Sequence, residues 1–121
     1  MNRTVPLKKN YEFARVYKKG RFYVGKYLTL YATPNNCGNN RLGITVSKKV
    51  GKSVKRNRIR RLVKENYRLF EECVMCSYDL VFVVRSSDNM PVFFDIKKEM
   101  KYLFRKLNIF DQEKWDCLKT Y

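Results

Sequence analysis

The densest chemistry in the chain lies between Lys48 and Arg68, where ten basic residues face a single acid, Glu65. Arginine dominates the middle of the stretch, at Arg56, Arg58, Arg60 and Arg61. A guanidinium fork bonds two phosphate oxygens at once, so this composition favours phosphate as the target. The whole chain has the same sign, with 27 Lys and Arg against 11 Asp and Glu and a net charge of +16 in 121 residues. Such a field opposes folding through self-repulsion and points to a polyanionic partner. Groups for protein-borne catalysis are missing. The chain has no histidine and no Gly-x-Ser-x-Gly turn, and its carboxylates are scattered rather than clustered for two metals. We therefore expect no catalytic side chain and no protein-bound metal. Four cysteines, Cys37, Cys73, Cys76 and Cys117, include one Cys-x-x-Cys, but no second pair or histidine completes a zinc site. They read as reduced thiols.

A helix must position the basic groups, and the spacing predicts one from about Ser53 to Cys73. Advancing about 100° per residue from Ile59 puts Leu62, Val63, Phe70 and Cys73 on one side, with Leu69 at the margin. Asn57, Arg60, Arg61, Lys64 and Arg68 gather opposite, and Arg56 and Arg58 lie on the flanks. A solvated helix face normally mixes signs. Here Arg60 and Lys64, and Lys64 and Arg68, stand one turn apart, and each like pair costs about 0.2–0.5 kcal/mol unless an anion sits between them. The preceding turn, Ser47 to Ser53, adds Lys48, Lys49 and Lys52 and backbone N–H groups at the helix N-terminus, where phosphate is favoured. Its spacing is not that of a Walker A loop.

The remaining elements follow from periodicity and punctuation. A short helix runs from Asn10 to Lys19, with Asn10 as N-cap and Gly20 as its stop. Arg21 to Thr33 reads as two short strands or one bent around Gly25, the segment 34–40 as a turn, and Arg41 to Ser47 as another strand. Tyr78 to Arg85 is a buried strand by its continuous apolar run, and Pro91 opens a last helix with a stripe of Ile96, Met100, Leu103, Phe104 and Leu107. The order α-β-β-β-α-β-α implies an α+β fold with helices packed on a sheet. We expect a single domain over 1–121, with a core at about 5–108 and a short tail. With no apolar run long enough to span a bilayer and no signal-like start, a cytoplasmic protein without a membrane partner is expected.

Phe13 and Tyr17 stand one helical turn apart. Spacing alone favours core packing for this pair; the alternative is a platform on which unpaired bases stack, and Tyr31 is ambiguous in the same way.

The run from Gly43 to Leu62, centred on Arg56-Asn57-Arg58 and followed by Arg60 and Arg61, resembles the signature of the bacterial ribonuclease P protein subunit. The segments Leu7 to Phe13 and Val16 to Gly20 are similar to that family's first helix. Two departures stand out: Lys52-Ser53 replaces the commoner Asn-Ala, and Ser86 to Pro91 replaces the usual approach to the last helix. The resemblance implies a holoenzyme in which a large catalytic RNA, with Mg2+, removes the 5′ leader of precursor tRNA. It assigns contacts with that RNA to Arg56, Asn57, Arg58, Arg60, Arg61 and Lys64, and Lys48, Lys49, Lys52 and Arg68 join them by charge. It also assigns Phe13, Tyr17 and Tyr31 to the unpaired leader. No obligate protein partner is expected. The implied fold is an α/β sandwich, similar to ribosomal protein S5 domain 2, whose four-stranded sheet has a left-handed βαβ crossover. A ribosomal-type RNA binder, a DNA-binding helix protein and a stand-alone nuclease are the competing readings.

Overall fold

The computed structural model describes residues 3–119. Five strands, β1 (Thr4–Pro6), β2 (Arg21–Val24), β3 (Leu28–Pro34), β4 (Asn40–Thr45) and β5 (Tyr78–Val84), form one sheet in the order β1-β4-β5-β3-β2. Four helices accompany it: α1 (Asn10–Lys19), α2 (Ser53–Phe70), α3 (Phe93–Lys106) and α4 (Gln112–Lys119). The expected four-stranded sheet is thus corrected to five strands. Thr4–Pro6 pairs in parallel with Asn40–Leu42, and three residues are too short a run for alternation to announce. The order expected from sequence accordingly gains a strand at its start and a helix at its end.

Strand alternation divides the molecule into two unequal layers. Leu28, Leu30 and Ala32 of β3 and Leu80, Phe82 and Val84 of β5 point one way, into a core filled by Ile59, Val63, Tyr67 and Phe70 of α2 and Ile96, Met100, Leu103 and Phe104 of α3. The intervening residues point the other way, where Val81 meets Leu7 and Val16, with Phe13, Tyr31 and Val83 packed around them. A fully buried Leu, Val or Phe contributes about 1.5–3 kcal/mol. The α1 face, with three buried apolar side chains, therefore gains far less from burial than the other face. One ten-residue helix leaves much of that sheet face uncovered.

Element boundaries refine the expectations. Lys9, not Asn10, is the N-cap of α1, and the Glu12 carboxylate accepts the Lys9 N–H at 3.0 Å. α2 ends at Phe70, and a 3-10 turn (Glu71–Cys73) carries Cys73 into the core. Leu62 is half-buried and Leu69 exposed, so the core stripe also runs through Asn66 and Tyr67. Arg21–Pro34 is two strands, broken at Gly25. The Glu99 carboxylate fills the space a side chain there would need, accepting the N–H groups of Lys26, Tyr27 and Leu28 at 2.6–2.7 Å. Pro91 precedes α3 instead of opening it: Val92 is the N-cap, and its N–H is held by Asp95 at 2.9 Å. The tail forms α4, whose Trp115 stacks on Phe70 at 4.7 Å.

Candidate nucleic-acid interface

The interface is built from α2 outward. Ile59, Val63, Tyr67 and Phe70 anchor one side of the helix in the core, which turns Asn57, Arg61, Lys64 and Arg68 to solvent and leaves Arg60 half-buried. Among the described residues the ion pairs join Arg15 and Arg41 to Glu12 and Asp79, and no α2 side chain takes part. The polar contact made by an α2 arginine is Arg60 to Asn57 Oδ1 at 3.3 Å, a weak one. Arg56 is half-buried, and its Nε has no hydrogen-bond partner among the described residues. At the start of the helix Lys48 and Lys49 form an exposed 3-10 turn, and Lys52 stands at the N-cap position without a side-chain cap. Gly51 permits this turn with φ +153°, and a Cβ there would meet the Lys55 side chain at 2.7 Å.

The cations do not share one face. Arg60 and Lys64 line a cavity of about 290 Å³ with Phe13, Gly43 and Leu7, on the sheet side of α2. Arg58 lies on the other flank with Lys52, Lys55, Val54 and Met90, around about 410 Å³. Sequence reasoning omitted Lys55, although its i,i+3 spacing from both Lys52 and Arg58 was available as a signal.

The aromatic residues come together on the open sheet face. Tyr17 and Tyr31 meet edge to face with centroids 5.0 Å apart, and Phe13 lies 6.5 Å from Tyr17. Phe22 of β2, opposite Tyr31 in the ladder, stacks on it at 5.3 Å and is 56% exposed, so it extends the platform. The sequence reading missed Phe22 because a four-residue strand with every side chain exposed offers no burial pattern. Of the α1 apolar side chains, Val16 goes into the core while Tyr17 is 40% exposed. The Tyr17 hydroxyl bonds that of Thr45 at 2.9 Å, which fixes the ring over β4. Gly43 explains why Phe13 can lie so close to the strand. A Cβ there would fall 2.5 Å from the Phe13 ring. These distances favour neither stacked bases nor packing by themselves: Tyr17 is exposed, while Phe13 and Tyr31 are partly buried against Leu7, Val16 and Val81.

Behind the platform lies an ionic knot. Asp79 is fully buried and accepts from Arg41 Nε and Nη2 at 2.7 Å each, from Arg15 Nη2 at 2.7 Å and from Asn35 Nδ2 at 2.9 Å. Burial pushes its carboxyl up, but the bonds from Arg41, Asn35 and Arg15 together hold it below its ordinary value. Glu12 is also held low, first by the backbone N–H of Lys9, and it pairs with Arg41. Arg41 is correspondingly locked in its charged form by Asp79. No group of three or more His, Cys, Asp or Glu among the described residues is placed to share a metal ion. No described helix is long and apolar enough to cross a membrane.

Comparison with known proteins identifies the family and the fold. The family model described as Ribonuclease P matches residues 1–108. The ribonuclease P protein component of Clostridioides difficile is 47% identical over 109 residues, covering 89% of this chain and 96% of that protein. The one from Alkaliphilus metalliredigens is 45% identical over 103 residues, covering 85% and 93%. Among solved structures, the Staphylococcus aureus RNase P protein superposes with a TM-score of 0.79 at 29% identity, over 87% of this chain and 96% of that one. The Thermotoga maritima RNase P protein gives 0.74 at 25% identity, over 83% and 96%. The arginine-bearing helix and the aromatic sheet face beside it thus belong to a chain that is a member of the ribonuclease P protein family.

Proposed function

We propose that this chain is the RNA-binding subunit of an endoribonuclease that cleaves the 5′ leader from precursor tRNA, with the chemistry and the Mg2+ carried by the RNA subunit. The observation that carries the reading is the cavity where Arg60 and Lys64 meet Phe13 and Gly43. It joins an unneutralised phosphate-binding helix to a stacking surface for unpaired bases. Lys48, Lys49, Lys52, Arg56, Asn57, Arg58, Arg60, Arg61, Lys64 and Arg68 take the catalytic RNA, and Phe13, Tyr17 and Tyr31, extended by Phe22, take the leader. Glu12 and Asp79 are already bonded to arginine, and the proposal assigns Mg2+ to RNA phosphates.

The division of labour follows from electrostatics. Two RNAs repel, and a cationic helix between them lowers that repulsion while releasing counterions. The platform then adds binding energy for the substrate that is absent for the product, which has lost its leader. We read the β4–α2–β5 connection as the left-handed crossover of an S5 domain 2-like sandwich, and the protein as cytoplasmic. The test is reconstitution with a ribonuclease P RNA at low Mg2+. The protein should restore cleavage and bind leader-bearing precursor tRNA more tightly than mature tRNA. A structural RNA binder of the ribosomal type would restore nothing, and equal affinity for the two tRNAs would sink the leader assignment.

A further inference from the structure

β2 is the last strand of the sheet, and its side chains alternate across it. Phe22 faces the platform, while its neighbour Tyr23 faces α3 on the opposite side. There Tyr23 meets Tyr102 edge to face with centroids 5.7 Å apart, and both rings are exposed, 36% and 45%. The Lys106 ammonium stands over both, 5.8 Å from Tyr23 and 5.4 Å from Tyr102. Beside the pair opens a cavity of about 510 Å³ lined by Tyr102, Lys26, Lys98, Asp95 and Glu99 among others. Its two acids are already engaged: Glu99 accepts three backbone N–H groups of the β2–β3 turn, and Asp95 accepts that of Val92. The lysines are left without a described acidic partner. Exposed tyrosines flanked by uncompensated lysines form a stacking surface with phosphate ligands at hand.

We infer that the Tyr23–Tyr102–Lys106 cluster binds the 5′ continuation of the leader after it passes Phe22 and rounds the edge of β2. The inference rests on reading the Phe13–Tyr17–Tyr31 platform as the leader site. Continuity supports the leader over another RNA segment, since Phe22 and Tyr23 are consecutive and exposed on the two faces of one edge strand. Lys106 has no described acidic partner and stands 5.4–5.8 Å from the ring centroids. It can pass to a phosphate while a base takes its place, and Lys26 and Lys98 can take the next phosphates. The bland alternative is that the two tyrosines, whose hydroxyls lie 3.3 Å apart, merely pin α3 to β2.

The test uses the holoenzyme reconstituted with a ribonuclease P RNA and three ligands: mature tRNA and precursors with leaders of about four and about twelve nucleotides, within the range single-strand grooves cover. The wild type should bind the three in rising order of affinity. Tyr102→Ala with Lys106→Gln should leave the short-leader affinity unchanged. It should lower the long-leader affinity about fivefold or more, the lower end for one stacked base. Tyr102→Phe, which keeps the ring and removes the hydroxyl contact, should behave as wild type. Equal losses for both leaders, no loss for either, or a loss reproduced by Tyr102→Phe would overturn the inference and leave the platform standing. A wild type that binds mature tRNA and the short-leader precursor alike would remove the platform reading and this inference together. Should the double variant unfold early on heating, Lys106→Gln alone decides, with selective weakening of the long leader expected and a uniform or absent effect overturning it.

Discussion

Arg41 and Arg60 differ in what answers their charge. Arg41 bonds Asp79 twice and Glu12 once, and its charge is matched inside the protein. Among the described residues Arg60 finds only an asparagine oxygen at 3.3 Å, and Arg61, Lys64 and Arg68 beside it form no ion pair. The first group holds α1 against the sheet where little apolar surface does so. The second leaves repulsion unrelieved until an anion arrives. Basic residues in a chain of net +16 therefore fall into two classes, and acid neighbours separate them better than position on a helical wheel.

The largest break of this comparison is Asp79→Asn. Removing one partner of a buried ion pair costs about 3–5 kcal/mol, and the lower end applies here because Arg15 is half in solvent. Chemical denaturation should show that loss, while the affinity of the folded fraction for RNA stays unchanged. A variant that lost RNA affinity without losing stability would move Arg15 and Arg41 into the binding class. The acid limb sharpens the point. A carboxyl held low in the folded state contributes stability that is complete above its unfolded value and lost as pH falls through its folded one. Wild type and Asp79→Asn should therefore differ by a constant amount at neutral pH and converge below about pH 4.

Gly43→Ala comes next, because it acts where the two regions meet. The new methyl must displace the Phe13 ring, at about 1–3 kcal/mol for overpacking. Stability and preference for leader-bearing tRNA should fall together. If only stability falls, Phe13 is a packing residue, as its spacing alone suggested.

How far the sequence could be read divides along the same boundary. The α2 helix, its core stripe of Ile59, Val63 and Phe70 and its basic side followed from periodicity, because an 18-residue helix repeats its pattern several times. β1 did not, since three residues carry too few repeats, and β2, foreseen as one of two short strands, shows no inward face in its four exposed residues. With β2 went Phe22, a platform residue set by pairing with Tyr31 rather than by local pattern. The tie of Asp79 to Arg15, Asn35 and Arg41 spans 38 to 64 residues of sequence, and no spacing rule reaches that far. The leader-binding roles proposed for Phe13, Tyr17 and Tyr31 rest on resemblance, which no spacing rule replaces. The fold adds that the three rings meet on one sheet face and that Tyr17 is exposed there.

Arg60→Ala with Arg61→Ala tests the unpaired class. The expected outcome is a roughly tenfold or greater loss of RNA affinity, with the dependence on salt shallower by about 0.7–0.9 per phosphate contact removed. The unfolding midpoint should hold or rise slightly, since like charges one turn apart have been removed. A marked drop would place these arginines beside Arg41 as structural residues.

The smallest expected effect is the most discriminating within the platform. Tyr17→Phe removes the hydroxyl bond to Thr45, and an exposed neutral hydrogen bond is worth about 0.5–1.5 kcal/mol at most. Tyr17→Ala also removes the ring, worth about 1–3 kcal/mol to each stacked base. If the platform works by stacking, the phenylalanine variant keeps most of the preference for leader-bearing tRNA and the alanine variant loses it, with little change in stability for either because Tyr17 is 40% exposed. If both lose it equally, the hydroxyl itself is what the leader reads. Tyr17 would then be a hydrogen-bonding residue, held ready by Thr45 in the free protein and released to RNA on binding.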